Sequence, residues 1–344
     1  MDSSGDEAVV ATNDDAAICK YQAVLRGYYS DPYLAKFLST NVKCNAPRKA
    51  PEINRGYFAR STSIAYIVEK FIESHPNGQI ISLGAGYDTL YWRLKEHGLL
   101  EAGDKHAEQQ QAVRYVEIDM SSVVVHKLMS IRRNHELSKV LESITYKGEG
   151  LHSKNYHLIS FDLRQVDKTP LKHRLFEDCQ LEPTRPTLCI AECVLVYMPV
   201  YDSSSLIKWL SDNFSNMTMI KYEQCNMKDR FGDIMLANMT ARHCDLMGVE
   251  ACKSLESQME RCKLNGLSYT KGWTLLHIYK KCLLPSLVEQ ISELEFLDEQ
   301  ELLEQLLEHY CIVIGSHNEV NWLPESEYWL SRTTATQKPS GSIQ

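Results

Sequence analysis

The chain has 344 residues, of which 44% are hydrophobic and 24% charged, with 37 basic against 45 acidic side chains and a formal charge of −8. These proportions exclude a wholly disordered chain, a collagen-like repeat and a coiled coil, and so acidic a balance lacks the overall basic field of a nucleic-acid binder. The 11 cysteines contain no Cys-x-x-Cys pair and the 12 histidines no metal-type spacing, which predicts reduced, buried thiols in the cytoplasm or nucleus and no metal.

Residues 1–15 are small, polar and acidic and read as a disordered N-terminus without the pattern of a leader. A single domain is expected over 16–333. Its first part, 16–75, is helical: Ile18, Tyr21, Leu25 and Tyr28 share one helix face, and Leu34, Phe37 and Leu38 suggest a second, short helix. Arg48 to Arg55 reads as loop, and a longer helix follows from Gly56 to Ser74. The core, 76–225, opens on the turn His75-Pro-Asn-Gly78. Strands are predicted at Gln79–Leu83, Val113–Ile118, His157–Phe161, Thr187–Ala191 and Met217–Tyr222, with helical patterns between them. That alternation predicts a mostly parallel sheet covered on both faces. The polar stretch Leu99 to Gln111 reads as a surface insertion. Residues 226–270 form a helical segment on the substrate side, and 271–315 complete the sheet with strands at 273–280 and 309–315 around a helix at 298–308. The tail at 334–344 reads as loose. The longest apolar run, Leu188 to Met198, contains Glu192 and falls far short of the roughly 18 residues of a membrane span.

The sharpest local signal is Leu83-Gly84-Ala85-Gly86-Tyr87-Asp88-Thr89, between a strand and a helix. Paired glycines there let backbone approach a ligand at the carboxyl end of an open α/β sheet. The third glycine of the dinucleotide fingerprint is missing, no Gly-Lys-Ser/Thr follows, and Asp88 would repel a pyrophosphate. A phosphate-free ligand fits better. S-adenosylmethionine carries a sulfonium, an ammonium and a ribose diol, all of which suit carboxylates. Asp119 ends the second strand, where it could accept the ribose hydroxyls or cap the next helix. Asp162 ends the third strand and could reach the adenine amino group, with Leu163 packing on the ring; a plain capping Asp is the alternative. Glu192 ends the fourth strand inside an apolar run and must face a cation, either the ligand's ammonium or a protein Lys or Arg.

The chain resembles the leucine carboxyl methyltransferases. The stretches carrying the resemblance are Arg48-Lys-Ala-Pro-Glu-Ile-Asn-Arg-Gly-Tyr-Phe-Ala-Arg60, Leu83 to Thr89, Trp92-Arg-Leu-Lys95, Phe161-Asp-Leu-Arg164, Ile190-Ala-Glu-Cys-Val-Leu-Val-Tyr-Met198, Tyr222-Glu-Gln224, Asp229-Arg-Phe-Gly232 and Leu294-Glu-Phe-Leu-Asp298. They cover roughly residues 16–313. The Gly-Ala-Gly-x-Asp-Thr turn is shared with a wider methyltransferase superfamily; the Pro-Glu-Ile-Asn-Arg-Gly and Ala-Glu-Cys-Val-Leu-Val-Tyr segments are narrower. The resemblance implies a class I S-adenosylmethionine-dependent fold: a Rossmann-like, mostly parallel seven-stranded sheet with a C-terminal antiparallel strand, and a lid of N-terminal and inserted helices. It implies methyl esterification of the C-terminal leucine of the protein phosphatase 2A catalytic subunit, with S-adenosylmethionine bound by Lys20, Arg60, Gly84, Gly86, Asp88, Asp119, Asp162, Leu163 and Glu192. Arg60 would pair with the cofactor's methionyl carboxylate. A monomer is expected, binding the phosphatase tail and body but neither nucleic acid nor membrane.

A peptide α-carboxyl has a pKa of about 3.5, so the nucleophile is already ionised at neutral pH and needs no general base. Groups that align and desolvate it are expected instead: Tyr197, Tyr222, Gln224 and Lys20 are the candidates. Competing readings are a small-molecule carboxyl or hydroxyl methyltransferase, a phosphatase scaffold with no activity, and a nicotinamide-dependent oxidoreductase.

Overall fold

The computed structural model describes residues 3–101, 112–166, 170–331 and 336–337. Residues 102–111 of the expected insertion and most of the tail lie outside these. Helix α1 spans Ser3–Leu25, α2 Thr40–Asn45 and α3 Pro51–Ser74. The sheet comprises β1 (Gln79–Leu83), β2 (Arg114–Asp119), β3 (Thr145–Lys147), β4 (Gly150–His152), β5 (Tyr156–Ser160), β6 (Thr187–Glu192), β7 (Met217–Gln224), β8 (Tyr269–Thr274) and β9 (Tyr310–Ser316), in the order β3-β4-β5-β2-β1-β6-β7-β9-β8. Strands β5, β2, β1, β6 and β7 run parallel, and β9 is antiparallel to β7. This is the class I methyltransferase sheet. Every residue of β1 and β7 is buried, the continuous-burial pattern of strands covered on both faces. One face packs against α3 through Phe58, Ile67 and Phe71, the other against the helix Val200–Asn213 through Leu206, Ile207 and Leu210.

Four expectations are corrected. The N-terminus is not disordered from residue 3 onward: α1 runs through the stretch, and it escaped notice because its apolar residues are spread around the axis and form no stripe. Arg48 to Arg55 is not all loop, because Pro51 opens α3, a first-turn position where its missing N–H costs nothing. Among the described residues the sheet has nine strands, not seven. The extra β3–β4 hairpin is two three-residue strands, too short for alternation to register. The strand expected at 273–280 lies at β8, and at Thr274 the chain turns helical, the Thr274 hydroxyl accepting the His277 N–H at 3.2 Å.

All 11 cysteines are free, nine of them buried. Among the described residues no helix is long and apolar enough to cross a membrane.

Candidate active site

Strand register decides what meets at the carboxyl end of the sheet. Leu83 of β1 is level with Ile118 of β2 and Ala191 of β6, so Asp119 and Glu192, each one residue further on, flank the loop that leaves β1. The chain proceeds from β2 outward to β5 on one side of β1 and from β6 outward to β7 on the other, and at this switch point a crevice opens. In the loop Gly84 has φ +56° and Gly86 φ +51°, the left-handed region that favours glycine. A Cβ on Gly84 would stand 2.6 Å from Val194 Cγ2, and one on Gly86 would collide with Asn13 Oδ1.

Asp119 Oδ2 accepts the Gly86 N–H at 2.7 Å, and Oδ1 accepts the Met120 N–H at 2.7 Å. It therefore ties two strand ends together rather than capping the helix Ser121–Arg133, whose start has no side-chain cap. About half its acceptor capacity remains. Burial raises its pKa, against the lowering effect of those two N–H groups. Asp88 Oδ1 accepts the Leu90 N–H at 2.7 Å. Beneath the loop, Lys127 Nζ donates to the Asp88 carbonyl at 2.9 Å and pairs with Glu117, whose carboxyl burial pushes up to about 7.

A four-membered charge cluster forms the floor. Lys20 Nζ lies 3.1 Å from Asp88 Oδ2 and 3.1 Å from Glu192 Oε1, and Arg60 Nε pairs with the same Glu192 oxygen. All four side chains are at most 17% exposed. Burial alone would raise Asp88 and Glu192, but the cations outweigh it: Lys20, Arg93 and Lys127 hold Asp88 well below the usual range, and Arg60 and Lys20 hold Glu192 down. Burial likewise opposes the Lys20 charge, yet Glu192 and Asp88 push it up to about 12. The Arg60 guanidinium stands 4.6 Å over the Tyr222 ring and 5.2 Å over that of Tyr57.

Asp162 caps the helical turn Leu163–Gln165. Its two oxygens accept Arg164 N–H, Nε and Nη2 at 3.0, 2.8 and 3.0 Å and Gln165 Nε2 at 3.1 Å. Burial would raise its pKa, but Arg164 reverses that and holds it low. Arg164 also grips Asp6 of α1 through two hydrogen bonds of 2.7 and 3.0 Å. Helix α1 thereby closes the crevice into a cavity of about 640 Å³. Further along α1, Asn13 Oδ1 accepts the Tyr87 N–H at 2.9 Å, and Asp15 pairs with Arg242.

Lys20, Arg60, Gly84, Gly86, Asp88, Asp119, Asp162, Leu163, Glu192, Tyr197 and Gln224 all line this one cavity. Tyr222 does not: it is buried behind the wall, under Arg60 and stacked on Tyr310 at 5.4 Å. Its β7 position puts it behind the guanidinium, so it supports Arg60 instead of facing a substrate. Sequence reasoning missed Asn13, Tyr57 and Tyr310, which do line the cavity. Nothing local marks Asn13. Tyr57 was detectable only as a residue one helical turn before Arg60.

Two buried polar atoms of the lining, Asn13 Nδ2 and Gln224 Oε1, have no hydrogen-bond partner among the described residues. A glycine cradle, carboxylates and two cations around one cavity suit a polar, zwitterionic ligand. S-adenosylmethionine meets those requirements.

A family model described as "Leucine carboxyl methyltransferase" matches residues 8–211. The chain is 43% identical over 315 residues, 89% of each chain, to "Leucine carboxyl methyltransferase 1" of Bos taurus. It is 38% identical over 318 residues to the protein of that name from Caenorhabditis elegans, covering 90% of this chain and 91% of the relative. It is 32% identical over 310 residues to the "Leucine carboxyl methyltransferase 1 homolog" of Arabidopsis thaliana, covering 89% of this chain and 88% of the relative. Among solved structures, the magnesium protoporphyrin IX methyltransferase from Synechocystis PCC 6803 with bound SAH aligns with a TM-score of 0.39 and 10% identity, covering 86% of this chain and 99% of that one.

Proposed function

The chain belongs to the leucine carboxyl methyltransferase family, and from that premise we propose that it esterifies the C-terminal leucine α-carboxylate of the protein phosphatase 2A catalytic subunit with a methyl group from S-adenosylmethionine. The observation that carries the reading is the joint arrival of the glycine loop, Asp119 and the Lys20–Arg60–Asp88–Glu192 cluster in one cavity. When bound, S-adenosylmethionine supplies an electrophilic methyl group on a sulfonium.

Under this reading Arg60 and Lys20 hold the cofactor's carboxylate, Glu192 and Asp88 face its ammonium, Asp119 takes the ribose hydroxyls, and Asp162 with Leu163 borders the adenine. Gly84 and Gly86 let backbone pass close to it. The substrate carboxylate arrives ionised, so no proton has to be moved by the protein. The work left to the chain is alignment and desolvation. Gln224 and the Tyr197 hydroxyl stand in the wall to orient the carboxylate, and α1 excludes water. Strong cations at the reactive oxygen would favour the charged ground state, and the two cations near the cavity floor are already committed to Glu192 and Asp88.

Met235, Met239 and Met247 line the cavity, the last 48% exposed, and Ile234 stands exposed on the helix Arg230–Ala241 that carries the first two, as does Tyr201 on the helix Val200–Asn213. Methionine-rich surface adapts to a partner, and we assign this side to the body of the phosphatase. The chain acts as a monomer in the cytoplasm or nucleus under the same reading.

The test is transfer of labelled methyl from S-adenosylmethionine to the phosphatase catalytic subunit and to a version lacking its last leucine. Base-labile label on the intact protein alone is the expected result. Cofactor binding with label on neither protein would overturn the protein substrate and favour a small-molecule acceptor.

A further inference from the structure

Away from the cavity, at the opposite edge of the sheet from β8, three metal-ligating side chains come together that sequence spacing keeps apart. In the β4–β5 hairpin His152 and His157 are directly opposed, their rings 5.2 Å apart and their Nδ1 atoms 3.0 Å apart. Cys179 arrives from a distant segment, at the end of the π-helical turn Arg174–Asp178. The next residue, Gln180, is held at φ +55°. Such turns and left-handed non-glycine residues are uncommon, and here they aim a buried thiol at the hairpin. The ligand atoms of His152, His157 and Cys179 all lie within 4.8 Å of one another.

We propose that His152, His157 and Cys179 form a zinc site that joins the edge hairpin to the segment leading into β6. Zinc bonds of about 2.0–2.3 Å to nitrogen and sulfur would set neighbouring ligand atoms roughly 3.3–3.8 Å apart, a spacing small side-chain shifts reach from the present one. Two imidazoles and a thiolate suit zinc and not the oxygen-seeking magnesium or calcium. Asp178, adjacent in the chain, is ion-paired with Lys147 at 2.6 Å, and it or a water completes the tetrahedron. His152 is half-buried, which gives an ion its way in; His157 and Cys179 are buried. As the zinc–sulfur bond forms, the Cys179 S–H bond breaks and its proton leaves to solvent. His157 lies in the first half of β5, whereas Asp162 follows the strand's end, so the site holds the fold and takes no part in methyl transfer.

The full-length chain, stripped by chelator, is titrated with Zn²⁺ against a chromophoric competitor and, separately, with Co²⁺. One ion per chain is expected, with a thiolate-to-cobalt charge-transfer band in the near ultraviolet. Cys179→Ser should abolish that band and weaken zinc at least tenfold. His152→Ala, at the sheet edge, should weaken zinc similarly with an unchanged circular dichroism spectrum. Cys44→Ser, at an exposed thiol elsewhere, should change neither. No saturable ion in the unmutated chain, or the same ion and band in Cys179→Ser or His152→Ala, would overturn the proposal.

Discussion

The cavity has two walls of different construction. The sheet wall consists of strand ends locked in register, so Asp119 and Glu192 cannot move without breaking a ladder in which nearly every residue is buried. The helix wall, α1, reaches the glycine loop and the cavity rim through side chains: Asp6 to Arg164, Asn13 to the Tyr87 N–H, Asp15 to Arg242. The outer two pairs are partly exposed, Asp6 and Arg164 at 39% and 21% and Asp15 and Arg242 at 47% and 52%. Exposed pairs are worth about 0–1 kcal/mol each. The sheet wall therefore opens only on unfolding, and the first half of α1, ahead of the buried Ala17 and Ala23, at a small fraction of that cost. Rigid groups set affinity; the weakly held first half of α1 sets access. Lys20 bridges the two, rooted in α1 and paired with both Asp88 and Glu192.

The comparison breaks most directly at Arg60. Arg60→Ala should reduce S-adenosylmethionine affinity at least 100-fold by calorimetry. Removing one partner of a buried pair costs about 3–5 kcal/mol in general, and because Lys20 still neutralises Glu192 the cost to folding should fall below that range. Circular dichroism should stay unchanged. Full affinity in this variant would take Arg60 out of the site. Next in size, Asp119→Ala should cost about 1–3 kcal/mol of cofactor affinity, as for a charged hydrogen-bond partner, since it also frees the Gly86 N–H. A neutral result would leave Asp119 as a loop tie only.

How much of this was readable in the sequence follows the same division. The sheet wall was legible because buried parallel strands are mostly apolar, and an acid at the end of each stands out: Glu192 after Leu188 to Ala191, and Asp119 after Val113 to Ile118, a strand that Arg114 and Glu117 interrupt. Lys20 and Arg60 were reached only through the family resemblance, since each looks like an ordinary helix charge. Helix α1 was illegible ahead of Ile18 because the contacts of that part are single polar side chains meeting residues 70 or more positions away, such as Asn13 with Tyr87, and periodicity carries no sign of such contacts. Tyr222 was misjudged for a related reason. Tyr222 and Gln224 share one face of β7, and alternation does not tell how far along that face the cavity reaches.

Two smaller effects sharpen the contrast from the helix side. Asn13→Ala removes the acceptor of the Tyr87 N–H and should cost about 1 kcal/mol, roughly fivefold in affinity, expressed mainly as faster cofactor release in stopped-flow experiments. A variant that slows release would mean Asn13 holds the helix off the loop.

Asp6→Asn should have the smallest effect. It removes one carboxylate from Arg164, which keeps Asp162, and the lost pair is partly exposed, with Asp6 at 39%. The expected loss is under about 1 kcal/mol at low salt. It should vanish near 1 M salt, where screening reaches about 3 Å. Association and release should both quicken, since a loosened helix eases passage in both directions and leaves the floor cluster intact. If Asp6→Asn instead matches Asp119→Ala in affinity and keeps that cost in high salt, the helix is no door. Both walls would then be parts of one rigid cavity, and the cofactor would have to enter from the methionine-lined mouth, in competition with the protein substrate.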